Sequence, residues 1–197
     1  MITLLKKDVN EIEVSKRMAL RFMGCRDDNI SEAMQKIYED CLGRYYAVAE
    51  LKAVYRKSSV TFKGDNVIGF DFGDIESESL CKNLAGCKNA YVFAATAGQG
   101  VDRSIKRFSL SSEAESMIFS CIASSGVEGW CDYVNCELSK NHKLRPRFSP
   151  GYGDVPLSVQ PDILSFLDAT RKIGISLTQS LMMVPVKSVT AIIGIEE

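Results

Sequence analysis

Helical patterning dominates the first third of the chain. SKRMALRFMG, which ends at Gly24, and NISEAMQKIYEDCLGRYYAVAELKAVY, which covers residues 29–55, both read as helices. A glycine is a common helix stop, and Asn29 stands three residues before Glu32, as in a capping box. We therefore expect the first third of the chain to be mostly helical.

The pattern then alternates between strands and helices. SSVTFKGDNVIGFDFG alternates apolar and polar residues around a Gly-Asp turn and predicts a β-hairpin, and the apolar stretch AYVFAATAG predicts a strand. We predict helices in ESESLCKNLAG, in VDRSIKRF, from about Ser112 to about Leu138 and in PDILSFLDATRKIG, with strands in the β-branched tail. These elements predict an α+β (mixed α/β) fold, in which helices flank a twisted, largely antiparallel sheet.

Composition and charge narrow the class of protein. Of the 197 residues, 46% are apolar and 25% are charged, as in an ordinary soluble globular protein. The net charge of −1 gives no reason to expect nucleic acid or an anionic membrane as a partner. MITLLKKDVNEIEV at the start lacks the apolar core of a signal peptide, and no apolar run approaches the ~20 residues of a membrane span. We expect a cytoplasmic protein.

Cysteine and histidine usage argues against a metal centre or a catalytic triad. The seven cysteines form no CxxC pair, and His142 is the only histidine. Because histidine is the commonest general base at neutral pH, a cysteine or serine nucleophile could operate only through His142. We predict that the cysteines are reduced thiols and that the protein has no metal site. We also predict no catalytic cysteine or serine nucleophile activated by histidine.

A glycine pair follows the predicted strand AYVFAATAG. Gly98-x-Gly100 between a strand and a helix is the order that a phosphate-binding turn requires, because glycines let the backbone approach and a helix N-terminus favours an anion. The third glycine of the dinucleotide-binding motif is absent, which favours a tight structural turn over a ligand contact. Asp102 would lie in the first turn of the next helix, where a carboxylate suits the helix dipole.

The long helix that begins near Ser112 carries two carboxylates in an unusual place. Taking ~100° per residue, we place five residues on one face of this helix: Ala114, Met117, Ile118, Cys121 and Ser125. Glu128 and Asp132 continue the same face. A buried carboxylate needs a cation, strong donors or a wet cleft, so either such surroundings exist or the helix leaves the core near Ser125.

Proline and glycine exclude regular secondary structure from RPRFSPGYGDVP, between the last two predicted helices. Arg147 in this loop offers a planar fork that can bind a carboxylate through two hydrogen bonds. Pro150 and Gly151 fix the bend after it, and Tyr152 adds a ring face with a hydroxyl group. The loop is therefore either a preorganised ligand-binding loop or a rigid connection between two helices with no role in binding.

Three segments follow one another along the chain. They are the predicted helix ASSGVEGWCDYVNCEL, the loop RFSPGY followed by GDVP, and the tail DILSFLDATRKIGISLTQSLMMVPVKSVTAIIGI. They resemble, in that order, the acidic helix, the R-x-x-P-G-Y loop and the helix-then-strand segment of the activation (reactivation) domain of cobalamin-dependent methionine synthase. FAATAGQGVDRSI is similar to a motif of small free-standing relatives of that domain. We identify a free-standing, single-domain form, with an activation-domain-like core in residues 91–197. Residues 1–90 would add N-terminal helices and a β-hairpin to the same domain.

The resemblance implies S-adenosylmethionine as the ligand. Arg147 would hold its carboxylate, Glu128 would lie at the same pocket, and Pro150, Gly151 and Tyr152 would line it. The family presents S-adenosylmethionine to a cobalamin that has lost its activity by oxidation, while flavodoxin or another donor supplies one electron. No catalytic residue is needed, so the chain would be a component of methionine synthase activity rather than a self-sufficient catalyst. Its length implies action in trans, on a cobalamin-binding methionine synthase chain that lacks its own activation domain.

The sequence also departs from the family. Asn141 stands where long members have an acidic residue before the loop arginine, and a tyrosine-bearing segment beyond the last strand of those members has no match before Glu197. Two other interpretations therefore stay open. One is a scaffold for another corrinoid methyl-transfer system without its own S-adenosylmethionine site. The other is an enzyme that binds a nucleotide at Gly98 and Gly100.

Overall fold

A five-stranded sheet lies at the centre of the computed structural model, which describes residues 1–25 and 30–196. In chain order the strands are β1 (Thr3–Lys7), β2 (Leu51–Ser59), β3 (Thr61–Gly64), β4 (Val67–Phe70), β5 (Gly73–Glu76), β6 (Asn89–Thr96), β7 (Lys143–Leu144), β8 (Ser176–Leu177), β9 (Met183–Val184) and β10 (Ser188–Glu196). The α-helices are α1 (Lys16–Phe22), α2 (Glu32–Val48), α3 (Glu78–Asn83), α4 (Gln99–Ser109), α5 (Glu113–Ser139), α6 (Gln160–Leu167) and α7 (Ala169–Ile173). Short 3-10 helices cover Val9–Glu11 and Leu157–Val159. Among the described helices, none has the length and apolar character to cross a membrane.

The main sheet has the strand order β1-β2-β6-β10-β7, and every neighbouring pair is antiparallel. The predicted α+β fold, with a largely antiparallel sheet flanked by helices, is confirmed. Strands β3, β4 and β5 form a separate sheet. The predicted hairpin is confirmed as β3 and β4, which are joined at Asp65 and Asn66, both with positive φ.

Both faces of the central strands are buried. Along β6, Phe93 packs in the core beneath α1, α2, α4 and α5, whereas its neighbour Val92 packs in the core beneath α3, α6 and α7. Ile193 and Ile192 of β10 divide between the same two cores. Because successive side chains of a strand point to opposite faces, burial of both faces requires apolar residues at every position. This arrangement accounts for the continuous apolar run in β6.

The predicted helix over residues 29–55 is wrong in its last part. The helix α2 ends at Val48, and the chain continues as β2 from Leu51. Leu51 and Ala53 are buried on one face of the sheet and Val54 on the other. The periodicity of a short, mainly apolar run cannot distinguish a strand from a buried helix segment. This ambiguity explains the error.

Helix starts follow the sequence signals more closely. Ser31 caps α2 by accepting the backbone N–H of Met34 at 3.3 Å, while the predicted cap Asn29 lies outside the described residues. Ser112 caps α5 by accepting the N–H of Glu115 at 3.2 Å, which confirms the predicted start of the long helix.

The predicted helix PDILSFLDATRKIG is in fact two short helices. Asp168, between α6 and α7, has φ of 51°, and its carboxylate pairs with Arg171. Aspartate adopts the left-handed conformation more readily than most residues, so one residue suffices to break the helix while the apolar pattern continues. The predicted stop at Gly174, with φ of 74°, is confirmed.

Candidate functional site

Strand β10 sets the position of Arg147. On one side of it, the N–H of Arg145 donates to the carbonyl of Gly194 at 2.9 Å. On the other side, Phe148 and Ile192 exchange backbone hydrogen bonds of 2.9 and 2.8 Å. Because backbone pairing holds the chain on both sides, the Arg147 side chain leaves the sheet at a fixed place.

Two glycines bend the loop that follows Arg147. Gly151 has φ of +87° and Gly153 has φ of +57°, in the region that favours glycine. The N–H of Gly151 donates to the carbonyl of Val155 at 2.8 Å, and Pro150 is buried. Hydrogen bonding and burial thus add to the stiffness that the composition predicts.

Asp154 anchors the same loop to the N-terminus of α3. Its carboxylate accepts the hydroxyl of Ser77 and the backbone N–H groups of Glu78 at 2.7 Å and Ser79 at 3.2 Å. These hydrogen bonds, that of Ser77 foremost, lower the pKa of Asp154 to about 2. The loop is therefore fixed at its far end to the N-terminal half of the chain.

Arg147 joins two carboxylates of α5. Its Nη2 lies 2.5 Å from Oε2 of Glu128, and its Nη1 lies 2.7 Å from Oδ1 of Asp132. Burial by itself would lower the pKa of Arg147, but the groups around it, including both carboxylates, outweigh burial and raise the pKa. The structure thus brings Arg147 and Glu128 together, and Asp132 completes an acidic cluster of one cation and two anions.

The predicted buried face of α5 is correct only in part: Ile118 and Ser125 are buried, but two other members of that face are not. Ala114 and Met117 are exposed, and the two carboxylates lie at the edge of the buried face or outside it. Phe119 and Trp130 are fully buried about three turns apart, and their large apolar rings decide which side of the helix faces the sheet. The carboxylates are nevertheless not simply solvated, because Arg147 binds both of them.

A cavity of about 600 Å³ opens beside this acidic cluster, between the loop, α5 and β10. Arg147, Glu128, Pro150 and Tyr152 all line it, and Tyr152 is 70% exposed. Gly151 does not line the cavity, although it bends the loop that does. The volume falls within the ~300–1,000 Å³ of small-molecule sites. Four of the five residues predicted for the site therefore surround one cavity.

Lys187 also lines the cavity, and the sequence-based prediction missed it. The side chain is half-buried, and its Nζ donates to Oγ of Ser124 at 2.9 Å. Burial lowers the pKa of Lys187. The available signal was a single cation in the otherwise uncharged stretch MMVPVKSVTAII.

Gln160 is a second lining residue that the sequence did not single out. It is 5% exposed, and within the described part of the chain its Oε1 has no hydrogen-bond partner. A buried polar atom without a partner costs free energy, so a donor from a bound molecule would stabilise it. Phe22, at the end of α1, lines the cavity as well and is 49% exposed.

The Gly98–Gly100 turn is explained by packing. A Cβ on Gly100 would lie 2.3 Å from the carbonyl oxygen of Val48, and Gly98 has φ of +86° with Glu50 in close contact. Asp102 lies in the first turn of α4, as expected, and accepts the backbone N–H of Val186 at 2.9 Å. The structural-turn interpretation thus accounts for both glycines.

The structure identifies no metal centre within residues 1–25 and 30–196, since no three side chains of the ligating types come together there. All seven cysteines are free thiols. Burial raises the pKa of Cys131, which lies close to the Arg147 cluster.

Comparison with known proteins identifies the family. No curated protein matches the sequence. The fold is similar to that of a crystal structure described as the MetH reactivation domain bound to AdoHcy, with a TM-score of 0.72 and 14% identity, over 98% of this chain and 78% of that chain. The family model described as vitamin B12 dependent methionine synthase, activation domain, matches residues 80–197. Because that match spans more than half of the chain, the protein belongs to the family of vitamin B12 dependent methionine synthase activation domains.

Proposed function

We propose that the cavity beside Arg147 binds S-adenosylmethionine and that the chain supports the reductive remethylation of cobalamin in a methionine synthase acting in trans. The observation that carries this proposal is the convergence of Arg147, Glu128, Pro150 and Tyr152 on one cavity in a member of the activation-domain family. The structural relative is described as bound to AdoHcy, which is the product of methyl transfer from S-adenosylmethionine.

The residues of the chain act by binding and orienting the methyl donor. The loop and α5 supply charged groups for the amino-acid end of the ligand, and Tyr152 supplies a ring face at the rim. Three apolar residues of the rim remain exposed, Phe22 at 49%, Tyr152 at 70% and Val186 at 55%, on the surface that a partner must approach. Holding the sulfonium methyl toward that partner lowers the entropic part of the barrier.

The partner supplies the cobalamin, which accepts the methyl group after one electron has reduced it. A flavodoxin-like protein or another donor provides that electron. The methyl group leaves the sulfonium, so the chain then holds S-adenosylhomocysteine, a neutral thioether. No proton transfer or covalent bond to this chain is required, which agrees with a site built from ion pairs and a loop.

Calorimetric titration with S-adenosylmethionine tests the binding site. We expect the wild type to bind and Arg147→Ala to lose at least about tenfold in affinity, because the ligand carboxylate loses the guanidinium that would receive it and the two carboxylates of α5 lose their shared cation. Arg107→Ala, at an exposed position of α4, is the matched control and should bind as the wild type does. No heat of binding with the wild type would reject the proposal.

A reconstitution tests action in trans. A cobalamin-bearing methionine synthase chain without its activation domain is mixed with this protein, a one-electron donor and S-adenosylmethionine labelled at the methyl group. We expect label on the cobalamin only when the wild-type chain is present, and little with Arg147→Ala. Label that appears only on a different corrinoid protein would support the scaffold interpretation instead.

A further inference from the structure

The outer edge of β10, which faces away from β6, borders the cavity. On the β6 side, the N–H of Ala97 donates to the carbonyl of Lys187 at 2.9 Å. On the outer side, Phe148 and Ile192 exchange backbone hydrogen bonds. The backbone groups of successive strand residues point alternately to the two edges, so those of Thr190 point outward, as those of Ile192 do.

A proline ends the pairing on this outer edge. The register that places Phe148 opposite Ile192 would place Pro150 opposite Thr190. Proline has no N–H to donate, and the chain bends away at Gly151, whose φ is +87°. Within the described residues, neither the N–H nor the carbonyl of Thr190 has a hydrogen-bond partner.

These two backbone groups are buried as well as unpaired. Thr190 is 2% exposed, and it lines the cavity. Buried backbone donors and acceptors are nearly always hydrogen-bonded to protein, to ordered water or to a ligand. An occupant of the cavity is therefore required to supply an acceptor for the N–H and a donor for the carbonyl.

The cavity spans the sheet edge and has two chemically different sides. The helix α5, which carries Glu128, packs on the face of the sheet that buries Ile193. The helix α6, which begins at Gln160, packs on the opposite face, where Ile192 is buried. The ion pairs therefore lie on the α5 side, while Gln160 lines the cavity from the α6 side with an uncharged amide.

Adenine has the groups that the uncharged side of the cavity lacks. Its 6-amino group has two N–H donors, and the ring nitrogens N1 and N7 lie beside that group as acceptors. The cavity offers two buried acceptors without a donor, the carbonyl of Thr190 and Oε1 of Gln160. It also offers one donor without an acceptor, the N–H of Thr190. The numbers of donors and acceptors therefore match those of the base.

We propose that the adenine base of the ligand binds the outer edge of β10 at the place where Pro150 ends the pairing. The 6-amino group donates to the carbonyl of Thr190 and to Oε1 of Gln160, and an adjacent ring nitrogen accepts the N–H of Thr190. This inference rests on the proposed function and identifies the groups that select the base. Arg147 keeps its place at the amino-acid end of the ligand.

A base analogue of S-adenosylhomocysteine tests the contacts of the amino group. The analogue carries unsubstituted purine in place of adenine and so lacks the 6-amino group. We expect calorimetric titration of the wild type to show a preference of about ten- to hundredfold for S-adenosylhomocysteine, about tenfold for each lost hydrogen bond. Gln160→Leu should reduce this preference by about tenfold by weakening S-adenosylhomocysteine alone. Arg147→Met should weaken both ligands alike and leave the preference in place.

Two further analogues test the N–H of Thr190. In one analogue a CH group replaces N1 of adenine, and in the other a CH group replaces N7. One of the two should bind the wild type about tenfold more weakly than S-adenosylhomocysteine, because the N–H then loses its acceptor. If both bind as tightly as S-adenosylhomocysteine, this hydrogen bond does not form and its assignment is wrong.

The control and the contrary outcomes separate this inference from the proposed function. Ser165→Ala, at an exposed position of α6, should leave the affinities for S-adenosylhomocysteine and for the purine analogue unchanged. If the wild type binds these two ligands equally, the adenine assignment is wrong while the proposed function stands. If Gln160→Leu weakens both alike, Gln160 does not contact the amino group. If the wild type binds neither ligand, the proposed function and the adenine assignment are rejected together.

Discussion

The carboxylate of Asp102 accepts the backbone N–H of Val186 at 2.9 Å and so ties the first turn of α4 to the wall of the cavity. Lys187, the next residue, lines the cavity. The negative charge of Asp102 also acts to raise the pKa of Lys187, against the larger lowering caused by burial. One side chain thus links the Gly98–Gly100 turn, which binds no ligand in our interpretation, to the proposed ligand site.

Asp102→Ala should weaken both the fold and the site. The hydrogen bond joins a charged acceptor to a backbone donor, so we expect the free energy of unfolding to fall by about 1.5–3 kcal/mol. Affinity for S-adenosylhomocysteine should fall as well, because the segment that carries Lys187 loses an anchor. Urea denaturation and calorimetric titration measure the two effects.

Asp102→Asn separates anchoring from charge. The amide oxygen can still accept the N–H of Val186, so this variant should keep most of the stability that Asp102→Ala loses. Equal losses of stability in the two variants would show that the charge, and not the hydrogen bond, is what matters at this position.

Lys187→Met should move stability and affinity in opposite directions. Burial lowers the folded-state pKa of Lys187 below the ordinary 10.5, so the charged form is disfavoured in the folded protein. At neutral pH the variant is therefore expected to gain free energy of unfolding, while it loses affinity for a ligand in the cavity that Lys187 lines. Functional sites commonly show this opposition between stability and binding.

The pH dependence of this gain has a definite sign. Between the lowered folded-state pKa and 10.5, the unfolded wild type binds more protons than the folded one, so wild-type stability rises with pH. The Met variant lacks this titration, and its advantage should disappear as pH rises through that window. Urea denaturation from about pH 7 to about pH 10 measures the difference. An advantage that grows with pH would mean that Lys187 is stabilised, not destabilised, in its charged form.

The sequence was sufficient to predict that Arg147 and Glu128 lie at the same site. It was not sufficient to predict that they form an ion pair with each other. The loop motif and the helix were both recognisable, and each is a local pattern. The pairing of Arg147 with Asp132 as well depends on the rotation of α5, which Phe119 and Trp130 set through contacts with the sheet. A rotation fixed by distant packing is not visible in the periodicity of one helix.

The errors in secondary structure have the same origin. Leu51, Ala53 and Val54 belong to a strand because β1 and β6 flank it on both sides, not because of local preference. Lys187 was overlooked because a single cation in this C-terminal segment does not indicate a binding site until the cavity beside it is known. Both features depend on parts of the chain that are far apart in sequence.

Gly100→Ala should destabilise the protein through packing alone. The new Cβ would lie 2.3 Å from the carbonyl oxygen of Val48, so backbone must shift, at a cost of about 1–3 kcal/mol. Gly43→Ala is the matched control, because nothing lies within 4 Å of its Cβ inside α2. That variant should gain about 0.5–1 kcal/mol from helix propensity. Thermal unfolding of the two variants should therefore change in opposite directions, and a stable Gly100→Ala would contradict the packing explanation.

Asp154→Asn should make the stability of the protein less dependent on acidic pH. The pKa of Asp154 falls from 3.8 to about 2 in the folded state, so its contribution is present above 3.8 and is lost as pH falls through about 2. The difference in free energy of unfolding between wild type and variant should therefore be largest near neutral pH and shrink toward pH 2. Asp40→Asn, an exposed change in α2, controls for the loss of one acidic charge. A difference that does not vary with pH would mean that the ionised form of Asp154 has no advantage at the N-terminus of α3.

Gln160→Leu should leave the free protein at least as stable and should weaken the ligand complex. Within the described residues the buried Oε1 of Gln160 has no donor, so an apolar side chain of similar size removes an unfavourable group from the unliganded cavity. In the complex, the same oxygen is expected to accept a hydrogen bond from the ligand, and its loss should weaken S-adenosylhomocysteine by about tenfold. Urea denaturation without ligand and calorimetric titration with it give the two values. A variant that loses stability without ligand would show that Gln160 already has a partner in the free protein, and the expected contact with the ligand would lose its basis.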